Sequence, residues 1–98
     1  MLKGRSPTSD EKTHMEAIAS LGCIVCLIHH GVYSPTELHH IDGRTKPGAH
    51  FHIIPLCYRH HREGADCEEY TSRHPHKKRF ERRYGTEINL MHEVLARL

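Results

Sequence analysis

Cys23-Ile24-Val25-Cys26 and Leu56-Cys57-Tyr58-Arg59-His60-His61, separated by residues 27–55, are the stretches that decide the fold of this chain. In each, two ligand-capable side chains stand three positions apart (Cys23 with Cys26, Cys57 with His60), so one tight turn can aim both at a single ion. Two such turns complete a tetrahedral Cys₃His zinc site. A closed site of that kind has no position for substrate; it is structural, and its binding energy is folding energy. The competing reading takes the cysteines as small buried apolar side chains. Paired knuckles flanking a histidine cluster favour the metal. Redox use of Cys23 and Cys26 is disfavoured because the strand–helix setting of a thioredoxin-like motif is missing. Cys67 stands apart as a fifth candidate ligand or a free thiol, and the free thiol is the simpler reading.

Composition explains why a staple is needed. The chain has 98 residues, 37% of them hydrophobic, with two Phe, four Tyr and no Trp. Such a chain can build one small core and usually needs a disulfide, a metal or a partner. A single domain over residues 1–98 is expected, with its core at 23–64 and a basic segment and C-terminal helix over 73–98. The polar N-terminus lacks the apolar stretch of a signal peptide, and no apolar run reaches membrane-spanning length. A reducing cytoplasm is therefore expected, where Cys-x-x-Cys means metal or redox chemistry rather than a structural disulfide. Net charge is only +2, but its distribution is uneven. Arg73, Lys77, Lys78, Arg79, Arg82 and Arg83 oppose Glu81 alone, just after the acidic run Glu63, Asp66, Glu68 and Glu69.

Outward from the knuckles, Thr8 with Glu11 three residues later has the form of a capping box. Met15, Ile18, Ala19 and Leu21 continue it as an apolar helix face ending at Gly22. The spacing predicts a helix from about residue 9 to 21 that delivers Cys23 and Cys26 into a tight turn. Residues 29–36 read as a loop, 37–42 as a short strand, 43–48 as a turn and 50–56 as an extended segment. Cys57 to Glu63 suits a helix. Pro75 opens a basic helix over 75–84. Thr86 caps a last helix whose stripe is Ile88, Met91, Leu95 and Leu98, widened by Leu90 and Val94. That stripe is core, or in part a dimer contact; a monomer or weak homodimer is expected.

The twelve histidines concentrate in the middle of the chain. On a helix starting near Cys57, His60 and His61 point about 100° apart. His39 and His40 on an extended segment point to opposite faces. In each pair one ring can serve one site while its neighbour serves another. Once the Cys₃His site is filled, His39, His40, His52 and His61 remain. His29 and His30 read as loop residues, available to the zinc site if His60 is not. His50 lies near the cluster. His74 and His76 flank Pro75 and read as surface residues, as do His14 and His92 on their helices.

In this order the residues resemble the HNH endonucleases of the ββα-metal fold. Zinc-stapled members of that family carry a Cys-x-x-Cys, an Asp-His or His-His pair, an Asn or His, then Leu-Cys-x-x-Cys/His followed directly by His. Here the matching residues are Cys23 to Cys26, Leu38-His39-His40-Ile41, His52 to Cys57 and Arg59-His60-His61. Phe80-Glu-Arg-Arg-Tyr84-Gly85 and the apolar helix after it further resemble phage recombination-enhancement nucleases. The resemblance implies an α+β fold, a small zinc-stapled ββα-metal core with flanking N- and C-terminal helices. It implies structural Zn²⁺ at Cys23, Cys26, Cys57 and His60, and a catalytic divalent ion at His39 and His61. It gives His40 the role of general base and His52 that of the central asparagine, orienting the site. Two departures stand out: His39 replaces the usual aspartate, removing an anionic ligand and admitting softer metals, and His52 replaces asparagine. Mg²⁺ or Mn²⁺ is the expected catalytic ion, with Zn²⁺ or Ni²⁺ as alternatives. The implied partners are DNA and a recombinase–DNA filament, in a bacterial host cell. The long basic N-terminal extension of the recombinase-dependent enzymes is not found here, so dependence on a filament is not expected to transfer.

The chemistry agrees with the residue types. A neutral imidazole of pKa about 6.5 can take a proton from water at neutral pH. An ion with only two protein ligands keeps positions open for phosphate and the leaving oxygen, where it acts as a Lewis acid. Hydrolysis of this kind would leave 5′-phosphate and 3′-hydroxyl ends. Arg44, Lys46, Arg59, Arg62, Lys77, Lys78, Arg79, Arg82 and Arg83 are the candidates for holding DNA by its phosphates, without sequence readout. The rival readings are a non-catalytic zinc-binding nucleic-acid module and a small zinc-dependent interaction protein. Each needs one closed site and leaves four histidines unused.

Overall fold

The computed structural model describes residues 6–98. Helix α1 (Ser9–Ser20) begins in the anticipated capping box: the Glu11 amide donates to Thr8 Oγ1 at 3.2 Å and the Thr8 amide to Glu11 Oε1 at 2.8 Å. Its buried residue Ile18 anchors it to the core. The chain then turns at Gly22, which has φ +75°. A Cβ there would lie 2.7 Å from the Tyr33 ring and 2.8 Å from the Ser34 carbonyl oxygen. Only glycine suits both the backbone and the space.

Cys23 caps the N-terminus of a second helix, α2 (Ile24–His30), with the Cys26 amide donating to its Sγ at 3.5 Å. The loop expected from residue 29 therefore starts later. Ile24, Val25 and Cys26 are all buried, so packing continues the turn into a helix, and Gly31 ends it in the left-handed conformation at φ +64°. Strands β1 (Glu37–His40) and β2 (Ile53–Leu56) pair antiparallel, with His39 opposite Ile54 and His40 opposite Ile53. Pro55 is tolerated because a two-stranded sheet has only edge strands. A single 3₁₀ turn, Ala49–Phe51, precedes β2. Cys57 caps α3 (Tyr58–His61), and the chain goes on to α4 (Lys77–Tyr84) and α5 (Glu87–Leu95). The architecture is the α+β class expected, with β1, β2 and α3 in ββα order. No helix among the described residues is long and apolar enough to cross a membrane.

The core unites Ile18, Ile24, Val25, Ile53, Ile54, Leu56, Phe80, Leu90 and Val94. One expectation is corrected here. Ile88, Leu95 and Leu98 are exposed, and α5 instead buries Glu87, Leu90 and Val94. These positions are i, i+3 and i+7, so they share one face, and the carboxylate at its head is paired with His39 and Arg73.

Candidate metal centres

The knuckles converge. Nδ1 of His60 lies 3.5 Å from Sγ of Cys23, 3.5 Å from Sγ of Cys26 and 3.2 Å from Sγ of Cys57, while the sulfurs of Cys26 and Cys57 are 3.8 Å apart. With Zn–S of about 2.3 Å and Zn–N of about 2.0–2.1 Å, a tetrahedral site has S···N edges of about 3.5 Å and S···S edges of about 3.8 Å. The four side chains fit zinc on their own geometry. They come from two helix starts: Cys23 and Cys57 are the caps, and Cys26 and His60 lie three residues further on. The thiols differ in acidity. A hydrogen bond from Cys23, with another from His60, pushes Cys57 well down, whereas Cys23 is pushed up by that same pairing and by burial, and Cys26 is pushed up mainly by burial. Zinc entry must therefore displace protons from Cys23 and Cys26. Cys67 is an exposed thiol outside the cluster, and His29 and His30 are exposed at the end of α2.

A second cluster lies on the other side of α3. His39, His61 and His74 bring one ligand atom each within 4.8 Å of one another. His39 comes from β1 and is 3% exposed; His61 follows the zinc-site histidine on α3. His60 and His61, adjacent in sequence, fall in different groups. His74, read as a surface residue, is exposed and yet belongs to the cluster. Its amide donates to the His61 carbonyl at 2.9 Å and the Arg73 amide to the His60 carbonyl at 2.8 Å, which lays residues 73–74 against α3. No ligand spacing in the sequence signals it.

Carboxylates stand behind two of these rings. Glu37 Oε1 is 2.7 Å from Nδ1 of His61, and its other oxygen accepts from Arg62 at 2.8 Å. Hydrogen bonding from Arg62, with help from His61, holds Glu37 down at about 2. Glu87 Oε1 lies 3.4 Å from Nε2 of His39 and accepts from Nε of Arg73. Burial pushes Glu87 up, but His39 and Arg73 more than offset it and leave it at about 2. Burial lowers both His61 and His74, which favours the neutral rings that ligation requires.

His40 points to the opposite face of β1 from His39 and is half-buried. Its Nε2 is 2.9 Å from Nδ1 of His50, and its Nδ1 is buried without a hydrogen-bond partner among the described residues. Burial first, then Arg44, His50 and His39, lowers it to about 4. His52, expected to orient the site, is exposed, with Nδ1 3.3 Å from Asp42. The 3₁₀ turn places His50 inside and His52 outside, so the imidazole against His40 is that of His50. His40, Arg44 and His61 line two neighbouring clefts; one also contains His50 and Arg62, the other His39, Arg73 and His74.

The expected DNA-holding residues divide into two groups. Arg44, Lys46, Arg59, Lys77, Lys78 and Arg82 are exposed. Arg62 is engaged with Glu37 and Arg79 with Asp66, and Arg83 donates to the carbonyls of Cys67, at 2.6 Å, and of Glu68. Arg83 thus ties down the acidic loop.

The fold and its two clusters define a small α+β protein with a Cys₃His set that could hold zinc and a separate group of three histidines. A family model described as "Recombination enhancement, RecA-dependent nuclease" matches residues 7–98, and the chain belongs to that family. A nuclease linked to recombination is the function this membership gives.

Proposed function

We propose that the protein is a metal-dependent endonuclease of HNH type that hydrolyses DNA phosphodiester bonds, with the ion held by His39 and His61 and with His40 as general base. The observation that carries this reading is the placement of His40 beside the histidine cluster: it shares one cleft with His39 and His61 and another with His61, and Arg44 lines both. A bound divalent ion supplies Lewis acidity at the phosphate and the leaving oxygen.

The chain's own residues do the rest. As a neutral imidazole, His40 keeps one ring lone pair for the proton of an attacking water. Burial and Arg44 keep the ring neutral at pH 7. A phosphate seated at Arg44 would cancel that cation and bring the imidazole back toward its ordinary value, making it a stronger base once substrate arrives. Orientation of His40 falls to His50 in this scheme. Lys46, Arg59, Lys77, Lys78 and Arg82 supply phosphate contacts, and the Glu37 pairing of Arg62 makes it a support for His61. A non-catalytic binding module would need the closed Cys₃His set alone and has no use for a second histidine cluster. The family description makes a RecA filament on DNA a proposed partner, one the sequence reading did not expect to transfer.

The test is nicking of supercoiled plasmid by zinc-loaded protein freed of exchangeable metal, with magnesium, manganese, nickel or cobalt added, alone and with a RecA–DNA filament. Cutting by wild type and its loss in His40→Ala is the expected result. If no ion supports cutting in either setting, or His40→Ala cuts as well as wild type, the reading is wrong.

A further inference from the structure

A third imidazole changes which ion the second cluster suits. The ring centroids of His39, His61 and His74 are nearly equidistant, at 5.2, 5.2 and 5.3 Å for the three pairs. Two of the rings also have one nitrogen turned to a carboxylate outside the cluster: Nε2 of His39 toward Glu87 and Nδ1 of His61 toward Glu37. Carboxylate contacts of this kind orient metal-bound histidines and raise their basicity. His39 and His61 are thus held from outside, with the other nitrogen of each left for a shared ligand, and His74 is placed beside them by its main-chain bond to the His61 carbonyl. No carboxylate belongs to the ligand group itself.

Ion preference follows from that donor set. Magnesium demands octahedral oxygen ligands and gives up its waters reluctantly, and it is usually held by carboxylates and phosphates. Imidazole nitrogen suits the later first-row ions, with affinity rising from manganese toward copper. His39 and His61 alone leave room for oxygen donors from water and substrate. Addition of His74 raises the protein's contribution from two imidazole nitrogens to three. Its exposure at the cluster's edge leaves that side open for ion entry and for substrate oxygens.

We propose that His39, His61 and His74 form a three-imidazole site for a divalent ion of the cobalt, nickel or zinc class, in place of the magnesium or manganese expected from the resemblance. The proposal rests on the nuclease reading for what the ion does, but not for where it binds or which ion it is.

The experiment is a cobalt(II) titration of full-length protein carrying one structural zinc per chain, followed by calorimetry and by visible absorption. One further cobalt per chain is expected, with ligand-field bands and without the strong near-ultraviolet sulfur-to-cobalt absorption that exchange into the cysteine site would give. An excess of magnesium of about a hundredfold should leave the cobalt affinity unchanged. His74→Ala should weaken cobalt about tenfold or more, by loss of one ligand, with zinc content and circular dichroism unchanged. The main-chain bond to His61 survives this substitution, and His74→Gln provides a second variant that keeps side-chain length.

Unchanged cobalt affinity in both variants, or displacement of cobalt by equimolar magnesium, would overturn the proposal. Plasmid nicking on the same samples separates the two readings. Magnesium-supported cutting with no effect of His74 substitution removes this inference and leaves the nuclease. Tight, His74-dependent cobalt binding without cutting under any condition keeps the site and removes the nuclease.

Discussion

Glu87→Gln should destabilise the protein by about 2–3 kcal/mol at pH 7, although it swaps one buried polar side chain for another of the same size. Glu87 is 2% exposed, with one oxygen facing both His39 and Arg73. A carboxyl held at about 2 instead of 4.5 corresponds to about 3 kcal/mol of native-state stabilisation by the charged form. The sign follows from the direction of the shift. That stabilisation is fully present above the ordinary value near 4.5 and is lost as pH falls through about 2, so at pH 7 all of it is at stake. Arg73 keeps a side-chain exposure of 16%, and water can take up part of the role of its missing partner, which puts the expected cost slightly below the full figure. In urea, with both proteins saturated with zinc, the midpoint should fall by about 1–2 M at unchanged slope. The double variant Glu87→Leu with Arg73→Leu should recover much of the stability, because it removes the charge that Glu87→Gln leaves buried and unpaired. A midpoint shift below about 0.3 M, or a double variant less stable than Glu87→Gln, would refute the idea that this pair fixes α5 against the site.

Cys57→Ser should lose bound zinc and folded structure together, because structural zinc contributes on the order of 10 kcal/mol, more than a small core can spare; metal analysis with circular dichroism reads both, and a folded, zinc-loaded variant would refute the staple. Combined alanine substitution of Lys77, Lys78 and Arg82 should weaken DNA binding and flatten its dependence on salt by about 0.9 in the log–log slope for each phosphate no longer neutralised. Arg83→Ala should leave that slope alone and lower the melting temperature instead, since its guanidinium holds the Cys67 and Glu68 carbonyls; equal effects on the slope would show that both groups face DNA.

How much of this was legible in the sequence depends on the range over which each feature is encoded. The capping box of α1, the Cys-x-x-Cys and Cys-x-x-His knuckles and the opposite faces of His39 and His40 are local rules acting within one turn or one strand pair, and the structure shows each where it was read. The continuation of α2 to His30 was not readable as helix, because polar His29 and His30 before Gly31 resemble a loop until Ile24 and Val25 are seen to be buried. The inward place of His50 and the outward place of His52 depend on a single 3₁₀ turn, which no two-residue periodicity reveals. His74 reaches its cluster through main-chain bonds between residues 73–74 and α3, and backbone contacts across a loop leave no trace in side-chain spacing. Glu87 differs from these: it heads an i, i+3, i+7 set with Leu90 and Val94, where a charged residue violates the apolar pattern of its own helix face. Such a violation marks a position where a partner elsewhere compensates. The partners are His39 and Arg73, one a member of the second cluster and the other the neighbour of His74. The residue that upsets the stripe of α5 is therefore also the one that ties the last helix to the histidine cluster.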